Sequence, residues 1–429
     1  MRRIGQWIIV IPIVIGVIIG IGIAVSNQIN VNKESQKIAN IFGSLEVKPA
    51  EVTKFYTYGT SLNIEGKIKG IKKDNYEGAR ILVTDGEKTV EYKPEVSFDD
   101  YGIVFTSGEN INDAIDLEGL NPGTYYINIR FKLNNSREYK YYSLSNVSSN
   151  KNIEYFTLTK EDKNNKIDIK FTEYKYNNKK YKVLSLNVAE AKLPENVYDI
   201  VIDAAAGGTD KGEKYSEYNE ANLMLDYAIG LKEKLEAKGY KVKLTRDEVN
   251  SSTYTTTNMY DDDGRISIAC KTKAKYMISL HLNSAKDSGG IEVYAPCKSN
   301  LELAIQMANT IVSYTNIAYS NYNAYKKADG VYVKNYNKQM IESTNSVERD
   351  YEPYLLTIDT PYLYTIREVG GIATNAYVDG RNTTYSANAY YKSNQGIECY
   401  QIHLGSIKNN LNELLNQKDN YLNAIASCF

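Results

Sequence analysis

The sequence predicts an α/β domain, a mostly parallel sheet flanked by helices. An all-β sandwich and an N-terminal transmembrane helix precede it. Three observations carry this reading. Trp7 to Val25 is an uncharged apolar run. From about Thr53 to Glu190 the hydrophobic pattern has a period of two, and from Val197 apolar strands alternate with helical stripes. The 429 residues exceed one ordinary domain. A hydrophobic content of 42% and a charged content of 24% are globular values. The net charge of −1 argues against a nucleic-acid partner. Four cysteines without a C-x-x-C spacing argue against a zinc ribbon.

Residues 1–29 read as the anchor. Arg2 and Arg3 precede an Ile/Val-rich run whose length fits a bilayer-spanning helix of roughly 17–25 residues. Basic residues before the run and few soon after it point the N-terminus inward, so the rest of the chain is expected outside the cytoplasm. The rival is a cleaved signal peptide, with an apolar stretch of about 7–15 residues and a small-residue cleavage site. This run is longer, and Ala24-Val25-Ser26 is a poor site. Gly16 and Gly20 form a small-xxx-small pair.

Residues 30–51 read as a linker and 52–192 as the sandwich. Ser61–Lys69, Thr124–Phe131 and Lys166–Phe171 alternate polar and apolar. Asp85-Gly86, Asn121-Pro122-Gly123 and Asn177-Asn178 supply turns between such strands. Leu117 to Tyr125 resembles the turn and strand of bacterial immunoglobulin-like modules. A spacer or docking role is expected, with carbohydrate binding by exposed tyrosines as the alternative; the chain has 39 Tyr against 8 Phe and 1 Trp.

The last domain, 193–429, is expected to open with the strand Asp199–Asp203, then a Gly-rich loop from Ala204 to Gly212. Glu220 to Lys238 reads as an amphipathic helix that Gly239 ends. Lys241–Thr245 reads as a strand and Arg265–Ala274 as a helix. Tyr276–Leu280 lacks alternation, the mark of a strand covered on both faces. His281 falls where that strand emerges, the end at which open α/β sheets place ligands.

These residues carry a resemblance. Ile200–Gly212 (IVIDAAAGGTDKG), Glu220, Lys241–Arg246, Arg265 and Ala269, Ile278–Ser284 (ISLHLNS) and Gly290–Tyr294 are similar to the zinc N-acetylmuramoyl-L-alanine amidases of bacterial cell walls. The resemblance runs from about Val197 to Phe429. It implies an amidase-like domain that cuts the amide between muramic acid and L-alanine in peptidoglycan. It implies zinc on a histidine, a glutamate and a second histidine, with a separate catalytic glutamate. Three protein ligands leave one position for a water whose pKa falls to about 7.

Carried over residue by residue, the second histidine is His281 and the ligand glutamate is Glu220, with Glu217 as runner-up. Ala206 stands where the first histidine belongs. His403, in Gln401–Asn410, stands where the catalytic glutamate belongs, and Leu411 to Ile425 supplies the final helix. Glu368 is a second candidate for that glutamate. Residues 334–394 then read as an insertion.

Only two histidines occur, and both fall at active-centre positions. His403 is therefore either a replacement ligand, giving Glu220, His281 and His403 around a weakened zinc site, or a replacement base. Asn283 and Ser284 are candidates to orient His281 or touch substrate. Arg246 and Arg265 match the family as substrate-binding residues or ion-paired supports. The expectation is a membrane-held pseudoenzyme that binds peptidoglycan strands or another cell-wall enzyme. The alternative is a rewired zinc amidase.

Overall fold

The computed structural model describes residues 33, 35–39, 41, 49–134, 136, 138–145, 152–176, 178–248, 264–283, 289–345, 356–374 and 396–429. The predicted anchor, residues 1–29, lies outside the described residues, as does Ser284. Among the described residues no helix is long and apolar enough to cross a membrane.

Strands run from Ala50–Tyr58 to Lys179–Ala191 and pair mainly antiparallel, as the period of two predicts. Their inward residues, among them Ile64, Ile81, Phe105, Ile127, Phe131 and Leu186, form one apolar core. Within the expected linker, Ile38 and Ala39 are buried against Tyr126, Tyr174 and Val183. Ser35 Oγ accepts from the Lys175 N–H at 2.7 Å, so this segment is docked on the sandwich face.

The C-terminal domain holds a seven-stranded mixed sheet. Its strand order is Val242–Leu244, Ile200–Ala204, Tyr276–Asn283, Glu398–Ser406, Glu292–Tyr294, Val331–Tyr332, Lys326–Ala328. The first four strands are mutually parallel, and Glu292–Tyr294 runs antiparallel to Glu398–Ser406. Side chains alternate across the sheet. Ile278, Leu280, Leu282, Ile402 and Leu404 pack with the helices Glu220–Ala237, Glu302–Tyr314 and Lys418–Ala426. Val201, Met277 and Cys399 face the other way, with Ile266 and Ile366 from the helices Arg265–Lys271 and Tyr364–Gly370.

Several element ends differ from expectation. The long helix stops at Ala237. The helix from Arg265 stops at Lys271, because Lys273 takes a left-handed φ of 53°. The expected final helix is two, Leu411–Asn416 and Lys418–Ala426, broken where Gln417 leaves helical geometry. The break lets Leu414 and the row Tyr421, Leu422, Ala424 and Ile425 reach the same core.

The sandwich meets the sheet at the edge where the parallel strands start. Gly59 N–H donates to Gly396 O at 3.0 Å and Ile111 N–H to Lys298 O at 2.9 Å. Asn112 Nδ2 donates to Glu398 Oε1 at 3.1 Å, and Thr159 Oγ1 to Asp199 Oδ2 at 2.7 Å. His281 sits toward the opposite edge, where the parallel strands end.

Candidate active site

Strand register aligns two polar rows on one face of the sheet. Asp203, Ser279, Gln401 and Tyr294 are in register across four strands, and His281, His403 and Glu292 across three. In a buried sheet such rows persist only if their polar atoms find partners.

Asp203 is fully buried and organises the first row. Its carboxylate accepts from Thr245 Oγ1 at 2.8 Å and from Ser279 Oγ at 2.7 Å, and pairs with Arg265 Nη1 at 3.3 Å. Ser279 Oγ lies 2.9 Å from His281 Nε2. The other ring nitrogen, Nδ1, lies 3.8 Å from Glu220 Oε1. Burial pushes the His281 pKa down to about 4, opposed by Asp203 and reinforced by Arg265. The ring is thus neutral at neutral pH, the form that can bind a metal.

Glu220 opens the long helix. Asn219 caps that helix by accepting from the Asn222 N–H at 3.0 Å. Glu220 Oε1 accepts from the Leu282 N–H at 2.9 Å and Oε2 from the Glu213 N–H at 3.0 Å. Burial raises its pKa, and these two backbone bonds oppose the rise. Gly212, at φ +62°, leaves room for the carboxylate, since a Cβ there would collide with it. The runner-up Glu217 is exposed on a hairpin and bonds its neighbour Ser216.

His403 stacks beside His281, with ring centroids 5.3 Å apart and planes 16° apart. Tyr294 flanks its other side at 5.1 Å. His403 Nε2 lies 2.8 Å from Gln401 Nε2, and among the described residues its buried Nδ1 has no hydrogen-bond partner. Desolvation holds this imidazole neutral, and neighbouring His281 and Lys334 lower its pKa further. Glu368, the competing candidate, lies inside the helix Tyr364–Gly370, fully buried and 2.9 Å from Arg367 Nε. It occupies no late strand and does not compete with His403 for that place.

The loop after Asp203 turns through a left-handed residue and is held by two buried arginines. Ala206 has a φ of 55°, a left-handed conformation that histidine adopts more readily than most residues. Arg265 Nη2 donates to Ala206 O at 3.2 Å. Arg246 donates to Ala204 O at 3.2 Å, Ala205 O at 2.9 Å and Ala221 O at 2.7 Å. Of the two roles expected for Arg246 and Arg265, this geometry is that of ion-paired or carbonyl-bound supports. At 4% and 3% exposure both are buried and tied to loop carbonyls. Asn283 is likewise fully buried, and its Nδ2 donates to Gly290 O at 2.9 Å. That bond shapes the following loop.

Ligands about 2.0–2.2 Å from zinc stand about 3.3–3.6 Å apart in a tetrahedral set. The 3.8 Å between His281 Nδ1 and Glu220 Oε1 suits two arms of such a set. The resemblance puts the third ligand at position 206, where this chain has alanine. Among the described residues no three His, Cys, Asp or Glu side chains are grouped to hold an ion. Among the described residues the set thus offers two arms of a zinc site and not the three that hydrolysis requires.

The model of the N-acetylmuramoyl-L-alanine amidase family matches residues 200–428. The chain belongs to that family. Its amidase domain thus covers both polar rows and every site residue above. The comparison with curated proteins found no match. Among solved structures, the chain is similar to the amidase AmiC2 of Nostoc punctiforme at 19% identity and a TM-score of 0.32, covering 54% of this chain and 94% of that one. It is similar to Cwp6 from Clostridium difficile at 17% identity and a TM-score of 0.32, covering 54% and 27%. It is also similar to the CwlD amidase from Clostridioides difficile, solved in complex with the GerS lipoprotein. That match has 19% identity and a TM-score of 0.29, and covers 54% and 93%.

Sequence reasoning missed the residues beneath the amidase histidines. Ser279 and Gln401 are polar residues that each lie two positions before a histidine, on the same face of its strand, which is the signal that marks them.

Proposed function

We propose that this amidase-family chain is a membrane-anchored cell-wall protein. In this reading its groove holds peptidoglycan glycan–peptide strands, or a partner wall enzyme, with hydrolysis lost or strongly reduced. The observation that carries the reading is position 206. The loop keeps its left-handed turn and its two arginine supports but presents a methyl group where the resemblance requires an imidazole. Losing even an outer-shell partner costs about 10–100-fold in metal affinity or activity, and a positioned general base is worth about 10²–10⁴ in rate.

The full chain is incubated with purified dye-labelled wall, and both released dye and protein retained on the pellet are measured. Retention without release supports the reading. Release that a chelator abolishes overturns it. Ala206→His combined with His403→Glu restores the missing groups and is expected to recover release.

A second reading, a rewired zinc amidase using Glu220, His281 and His403, is favoured by the stacking of His403 on His281 at 5.3 Å. Zinc stoichiometry decides it. Absence of bound metal, or metal fully retained in His403→Ala, removes it.

The anchor rests on the uncharged run Trp7–Val25 behind Arg2 and Arg3. It places the amidase domain on the outer side of the cell membrane. External protease should digest the domain in spheroplasts, and protection of the domain refutes that placement.

A further inference from the structure

The two imidazoles of the amidase domain rest on different hydrogen-bond chains, and each chain dictates where its ring proton sits. A serine hydroxyl has one proton to give. Ser279 gives its proton to Asp203 Oδ2 at 2.7 Å, an acceptor already paired with Arg265. At His281 Nε2, 2.9 Å away, Ser279 can only accept. His281 therefore carries its proton on Nε2 and leaves the Nδ1 lone pair facing Glu220.

The chain under His403 runs the other way. Thr365 Oγ1 donates to Gln401 Oε1 at 3.1 Å. That leaves the Gln401 amide N–H to donate to His403 Nε2 at 2.8 Å. A nitrogen that accepts there has no proton of its own, so the neutral ring carries it on Nδ1.

We propose that Gln401 is a positioning residue that locks His403 as the Nδ1–H tautomer, opposite to its stacked neighbour His281, and so occupies the one lone pair of the neutral ring, on Nε2, leaving none for metal or for water. His403 is then neither zinc ligand nor general base, but an N–H donor beside a two-armed site. The inference deepens the binding reading above and rests on it for its functional meaning.

The chain's two histidines give a spectrum of two ring systems, so long-range ¹H–¹⁵N correlation on the untagged, ¹⁵N-histidine-labelled full chain in detergent reads both tautomers. His403→Gln assigns them. Protonated Nε2 on His281 and protonated Nδ1 on His403 are expected; a protonated Nε2 on His403 overturns the proposal. Gln401→Glu replaces the amide donor by a carboxylate that only accepts. It should move the His403 proton to Nε2 and leave the His281 pattern intact, whereas an unmoved His403 pattern in that folded variant overturns the proposal. Should Gln401→Glu not fold, Thr365→Val frees the Gln401 carbonyl to turn. His403 should then populate both tautomers, and an unchanged spectrum counts against the lock. Wall cleavage accompanied by the expected spectrum would sink the binding reading and leave the lock standing. A reversed His403 tautomer without cleavage would do the opposite.

Discussion

Glu398 ties the sandwich to the amidase domain, and its titration should be visible in the stability of the whole chain. It is buried at 3% exposure at the start of the His403 strand. Its Oε1 accepts from Tyr400 Oη and from Asn112 Nδ2 of the sandwich. Desolvation raises its pKa from an ordinary 4.5 to about 7, with the Tyr400 and Asn112 bonds opposing the rise. The folded state therefore holds the proton more tightly than the unfolded state. Its contribution is fully present below about pH 4.5 and is lost as pH climbs to about 7. A gap of roughly two and a half pH units, at about 1.36 kcal/mol each, amounts to about 3 kcal/mol. Glu398→Gln removes the titration and keeps an oxygen for Tyr400. Urea midpoints of wild type and variant, taken at half-unit steps from pH 5 to pH 8, should diverge progressively in the variant's favour. Two curves that stay parallel over that range would refute the account of a buried acid forced to ionise.

Arg265→Leu leaves Asp203 buried without its cation, so unfolding stability should fall by about 3–5 kcal/mol, read from the denaturant midpoint. A loss confined to wall binding at unchanged stability would instead return Arg265 to a substrate role. Gly212→Ala forces a Cβ onto Glu220 at a left-handed φ, and a loss of about 1–3 kcal/mol is expected from thermal unfolding; unchanged stability would mean that the carboxylate moves freely. The His281 ring should stay neutral until pH falls to about 4, so its NMR shifts should be flat between pH 8 and pH 5. A midpoint near 6.5 would show that burial does not govern it.

The resemblance placed Glu220 and His281 at the site because the motif spacing around them is local and repeated. It did not separate Arg246 and Arg265 from substrate-binding residues, because a buried guanidinium and an exposed one look alike in one dimension. The split of the final helix at Gln417 was not legible either. Leu411 to Ile425 holds no Gly or Pro, only the weak helix formers Asn416, Asp419 and Asn420 around the break, which fits both pieces against one core.

By itself the sequence determined the alternation of strands and helices, the family, and the absence of an imidazole at position 206, since each is a property of residue order. Only the tertiary structure decided which histidine nitrogen faces which partner. Proton positions depend on Ser279, Asp203, Gln401 and Thr365, which come from three strands and a helix that meet only when the sheet is assembled.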